Sequence, residues 1–149
     1  MAPRGEVLEI LGWPDEAGVD IRGIILRHGL REEFPGEVIR EAEHVPSTVR
    51  DGALQGRVDC RLEVVITIDP ADARDFDDAI WVRKAGDGWE LAVHIADVAH
   101  YVRPDTAMDR EARERGNSTY LVDRVLPMLP EQLSNGICSL VPGEDRLTR

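Results

Sequence analysis

Five aspartates fall within ten residues of this chain, in the run Thr67-Ile68-Asp69-Pro70-Ala71-Asp72-Ala73-Arg74-Asp75-Phe76-Asp77-Asp78-Ala79. Like charges at that density are unfavourable unless the carboxylates are solvated, protonated or neutralised by cations. An apolar β-branched stretch precedes the run and another follows it, so it reads as a loop pinned between two core strands. Such a loop has little freedom to splay every carboxylate into water. Hard divalent cations with oxygen ligands, magnesium above all, are the natural partners. Two such ions roughly 4 Å apart can activate a water on one side of a phosphodiester and stabilise the leaving oxygen on the other. A short aspartate stem fixes its oxygens closely, and the adjacent Asp77 and Asp78 point apart, toward different ions or an ion and a water. Spacing alone leaves a solvated acidic loop as an equal alternative. A calcium loop of the EF-hand kind is excluded, because neither Asp69 nor Asp75 has glycine at the sixth position and glutamate at the twelfth.

The remaining chemically capable residues read as structural. His94 and His100 flank the segment IADVA and suit hydrogen bonding within the fold better than metal ligation or base catalysis. Arg115, Arg124 and Arg146 are scattered and make no phosphate-binding patch. Trp81 and Trp89 fit a hairpin and its packing. On sequence alone Tyr120 is a core aromatic. Cys60 and Cys138 belong to no CxxC pair, which points to idle or buried thiols and not to a disulfide or a zinc site.

The elements that must position the aspartates follow from local signals. Glu6 to Leu11 reads as a short strand ended by Gly12 and Pro14. Val19 to Leu30 is a helix with Ile21, Ile24 and Ile25 on one face and Gly29 at its stop. A second helix starts at Pro35, a residue suited to a first turn, and ends before Pro46. Residues 46 to 62 form a polar connector. Leu62 to Ile68 is expected to be a buried strand. Ile80 to Lys84 and Trp89 to Ile95 are strands joined through Gly86-Asp87-Gly88, a hairpin signal. Thr106 to Arg115 is a polar helix with Gly116 behind it, and Thr119 to Leu140 alternates short strand-like segments with turns. Without regular βα alternation, the class is α+β, a mixed sheet with flanking helices.

Composition narrows the function. The 149 residues carry 18 Lys plus Arg against 29 Asp plus Glu, a net charge of −11. A free-standing nucleic-acid-binding module normally has the opposite sign, because phosphate contacts supply most of the affinity. A nuclease centre is not excluded, since there carboxylates hold cations and the cations meet the phosphates. No segment approaches the roughly 18 consecutive apolar residues of a membrane helix, and the start has no signal-peptide run, so a cytoplasmic setting is expected.

The run TIDPADARDFDDAI resembles the signature of the ribonuclease II / ribonuclease R family. Three further matches follow in order: LAVHIADVAHYV (91–102), DREARERGNSTYL (109–121) and VLPMLPEQLSNGICSLVPGEDRL (125–147). The resemblance covers about residues 59 to 149 and implies the N-terminal part of an RNB exoribonuclease catalytic domain. Residues 1 to 58 fit more loosely the connector that follows the family's cold-shock barrels, which are absent. The implied activity is processive 3′-to-5′ hydrolysis of single-stranded RNA to nucleoside 5′-monophosphates with magnesium, with no DNA substrate. The family's four essential aspartates fall on Asp69, Asp75, Asp77 and Asp78, with Asp77 central to cleavage. Asp72 falls at a variable position and reads as a solvated loop residue. The family tyrosine that stacks on a base near the RNA 3′ end matches Tyr120. Ala99 stands where the family often has serine. The family's catalytic domain continues past the position of Arg149, so the resemblance implies an incomplete domain, inactive alone. The alternative is a non-catalytic RNA-binding or interaction module derived from the same domain.

Overall fold

A computed structural model describes residues 4–71 and 73–149. The helices α1 (Val19–Arg27), α2 (Gly36–Glu43), α3 (Val98–Tyr101) and α4 (Ala107–Arg115) accompany the strands β1 (Asp78–Ala85), β2 (Gly88–Ile95), β3 (Thr119–Tyr120) and β4 (Val125–Leu126). The α+β class expected from the sequence is the class found. Among the described residues the strands form two separate antiparallel pairs, β1–β2 and β3–β4, in place of one mixed sheet.

Helix α2 starts directly after Pro35, which needs no backbone donor there. Its Val38 and Ala42, four residues apart on one face, are both buried. Helix α4 is capped by Thr106, whose hydroxyl accepts the Asp109 amide at 3.2 Å, while the Asp109 carboxylate accepts the Asp105 amide at 2.9 Å. Gly116, at φ 76°, ends it. The two helices pack on each other, and Glu41 of α2 accepts the Ala107 and Met108 amides at 2.9 and 2.8 Å. One helix thus satisfies the orphan donors of the other.

The core is built around this pair. Val38, Ala42, Ala107 and Met108 meet Leu129, Leu133, Ile137 and Cys138 from the C-terminal segment, which includes a wide helical turn at Leu133–Ile137. The β1–β2 hairpin runs in register from Asp78 opposite Ile95 to Ala85 opposite Gly88, and Gly86 supplies the left-handed residue of its turn at φ 57°.

Two expected strands are absent. Leu62 to Ile68 is not buried: Leu62 is 99% exposed, Val64 81% and Ile68 79%. The segment touches the hairpin through a single bridge, Ile66 to Ile80. Glu6 to Leu11 makes no strand, and its Val7, Leu8 and Ile10 are exposed. Both runs are β-branched or apolar, but that preference records packing against neighbours, and few of the described residues cover them. Among the described residues no helix is long and apolar enough to cross a membrane.

Candidate functional site

The aspartate loop is held by its backbone. Ser139, with no exposed surface, donates its hydroxyl to the Arg74 carbonyl at 2.8 Å and accepts the Phe76 amide at 2.9 Å. The Leu140 amide donates to the Phe76 carbonyl at 2.8 Å, and the Ala96 amide to the Asp77 carbonyl at 3.0 Å. Upstream, the Ala73 amide closes a turn on the Pro70 carbonyl at 3.0 Å. Residues 74 to 77 are therefore gripped from both sides, by 139–140 and by the residue following β2. Asp78 then enters β1. Every clamped group is a main-chain donor or acceptor that needed a partner in any case.

On this frame the charges of Asp75, Asp78 and Asp69 act on Asp77. The proton affinity of Asp77 is raised, first by partial loss of hydration and then by the charges of Asp75, Asp78 and Asp69. Asp77 itself is exposed, so the desolvation is incomplete and the neighbouring charges matter. Asp75 is half-buried and accepts a short hydrogen bond from the Tyr120 hydroxyl. That bond, then desolvation and the charges of Asp75 and Asp77, push the tyrosine pKa up to about 12. Tyr120 is 64% exposed, so it is no core residue; β3 presents it to the aspartate loop. Asp72, read as a solvated position, lies outside the described residues.

All four donors are carboxylates whose crowding a hard divalent cation would relieve, so the donor chemistry fits magnesium. The geometry is looser. Among the described residues no three carboxylate, imidazole or thiol groups converge closely enough to share one ion.

The residues read as structural are so placed. His94 Nδ1 lies 3.3 Å from the Thr148 hydroxyl, and His100 packs edge-on against Tyr101. Arg115 pairs with Glu111 and stacks over Phe34, Arg124 pairs with Glu32 and Asp123, and Arg146 donates to the Gly136 and Ser139 carbonyls. Trp81 donates to Glu63 at 2.8 Å, whereas Trp89 sits in the hairpin but is 73% exposed and is no core residue. Both cysteines are free, and burial pushes the Cys138 thiol up to about 11.

Sequence reasoning missed two supports of the site. Ser139 has no local signature, because its partners lie more than 60 positions away. Asp97 is buried behind the loop and holds both Arg57 and Arg149, at 2.9 Å for the latter. Its signal was legible: a carboxylate inside the apolar run HIADVA has to be paired.

Comparison with known proteins bears on the whole arrangement. The RNB domain family matches residues 57–149, and the cold shock domain family matches residues 1–35, inside the segment read above as a connector. Ribonuclease R of Thermotoga maritima is 54% identical, over 98% of this chain and 21% of its own length. Ribonuclease R 1 of Lactococcus lactis is 50% identical, over 98% of this chain and 18% of its own length. The structure of Mycoplasma genitalium RNase R in complex with double-stranded RNA superposes with a TM-score of 0.85 at 36% identity, covering 93% of this chain and 25% of that one. The chain spans about a fifth of the length of the curated relatives it matches. The RNB match takes in the aspartate loop, the hairpin behind it, Tyr120 and the Ser139 clamp, and the chain belongs to the RNB domain family.

Proposed function

We propose that this segment carries the acidic half of a magnesium-dependent 3′-to-5′ exoribonuclease centre. The observation that carries the reading is the convergence of the Asp75, Asp78 and Asp69 charges on Asp77, in a loop clamped by its main chain. Those four residues would hold the metal. Magnesium, when bound, supplies positive charge beside the scissile phosphate and its attacking water.

The chain's own residues do the rest. Asp77, whose proton affinity is raised by partial burial and then by its three neighbours, would be relieved by a bound cation. The clamp keeps the loop from relaxing when charge arrives, which is the preorganisation that makes electrostatic stabilisation effective. Tyr120, exposed beside Asp75, offers its ring to a base near the 3′ end of single-stranded RNA and its hydroxyl to the carboxylate. Processive hydrolysis to nucleoside 5′-monophosphates, on RNA and not DNA and in the cytoplasm, completes the reading.

A net charge of −11 gives the segment no general attraction for RNA phosphates. Turnover is therefore assigned to a protein of the relatives' length, and the 149 residues alone are expected to be inactive. The test places Asp77→Asn in such a protein and follows a 5′-labelled, 3′-tailed RNA with magnesium. Cleavage should fall by on the order of a hundredfold or more, with RNA binding largely kept. Normal turnover in the variant would overturn the assignment, and binding without cleavage in the parent would favour a non-catalytic module.

A further inference from the structure

The Tyr120 ring is held at the aspartate loop by one tether. We propose that its hydroxyl occupies Asp75 only until a divalent cation takes that carboxylate, so that filling the metal site and releasing the ring toward RNA are one linked event. The linkage rests on the cation-binding role proposed above for the aspartates and on the base-stacking role proposed for Tyr120.

Both backbones are fixed, which leaves the side chains to move. Tyr120 pairs with Val125 across β3 and β4, and the Leu121 amide closes the following turn on the Arg124 carbonyl at 2.8 Å. Asp75 lies between Arg74 and Phe76, whose main-chain groups Ser139 holds. The two points are bridged by the short hydrogen bond from the Tyr120 hydroxyl to Asp75 Oδ2. Among the described residues neither side chain makes another hydrogen bond, and the ring is 64% exposed, so packing does not hold it. No arginine competes for Asp75 among the described residues; the aspartates that arginines meet are Asp59, Asp97, Asp109, Asp123 and Asp145. A hard cation seeks the oxygen lone pairs that the hydroxyl engages. The neutral hydroxyl brings no net charge to crowded carboxylates, whereas a divalent cation relieves them, and the exchange favours the metal. The freed hydroxyl returns to water and the ring turns about its side-chain bonds. Two ligands that each need the untethered state then favour one another, by equal factors.

Tyr120→Phe keeps the ring and removes the tether, and thermal melts check that its fold is intact. Calorimetry with magnesium alone, on a protein of the relatives' length without RNA, reads the first half of the linkage. Heat that Asp77→Asn loses marks the site. Tyr120→Phe should bind magnesium there about two- to tenfold tighter, the worth of one hydrogen bond. RNA with a cleavage-resistant 3′-terminal linkage reads the second half. In chelator, Tyr120→Phe should bind it tighter than the parent by that same factor; in saturating magnesium the two proteins should bind it alike. Equal or weaker magnesium binding by Tyr120→Phe would overturn the proposal and leave the metal site standing. So would a ratio of RNA affinities that magnesium does not change. Magnesium heats identical in the parent and Asp77→Asn would sink the metal reading itself, and the linkage with it.

Discussion

Ser139 and Asp77 show opposite relations between a residue and its fold. Ser139 gives both hydrogen-bonding roles of one hydroxyl to the aspartate loop from a fully buried position. Ser139→Ala removes the donor to Arg74 and the acceptor for Phe76 while leaving the main-chain groups in place. The expected cost is about 1–3 kcal/mol, the desolvation of groups left without partners. A urea midpoint lowered at unchanged slope would show it; an unmoved midpoint would mean that water replaces the hydroxyl freely. Asp77, in contrast, has its proton affinity raised in the folded state. Its ionised form therefore works against folding, and the conflict eases as pH falls. A carboxylate kept in conflict with its neighbours suits the cation-binding role proposed for it.

At the scale of elements, the Glu41 link between α2 and α4 adds to the local Thr106 cap by satisfying two first-turn amides that the threonine does not. Its two acceptor bonds fall on the first amides of α4, where a negative charge is also favoured by the helix dipole. Glu41→Ala should lower stability by about 0.5–2 kcal/mol, the range for a lost cap, with Glu41→Gln keeping part of it; equal melting temperatures for all three proteins would refute the link. The elements legible in the sequence are those with local signals. Pro35 before α2, Thr106 and Gly116 around α4, and the glycines of the hairpin turn each act within a few residues. The exposed Leu62–Ile68 run was misread because a β-branched stretch states a preference for packing without naming a partner. The same limit hid Glu41 and Ser139, whose contacts lie 63 to 67 positions away. The aspartate run was legible as an electrostatic question from its spacing, whereas the choice of Asp69, Asp75, Asp77 and Asp78 within it came from the family resemblance.

For the molecule as a whole, Asp97 is the knot. It lies behind β2, is almost fully buried, and binds Arg57 from the connector and Arg149 at the far end of the chain. Burial opposes its charge, but the Arg57 hydrogen bond and the two guanidinium charges outweigh that and hold its pKa below the usual carboxylate range. A depressed carboxylate contributes stability that is complete above the unfolded pKa and is lost as pH falls through the folded one. Wild-type protein should therefore lose stability in acid below the ordinary carboxylate range. Asp97→Asn should begin about 3 kcal/mol lower at neutral pH, the cost of breaking a buried pair, and show a shallower acid loss; parallel pH profiles for the two would remove Asp97 from this role. The clamp on the aspartate loop works through a different currency of contact. It engages only amides and carbonyls, which every residue possesses, so the path of the loop is indifferent to the side chains displayed on it. Shape and reactivity are thereby inherited separately: a descendant that exchanges its carboxylates keeps the frame, and one that regains them finds the geometry already standing.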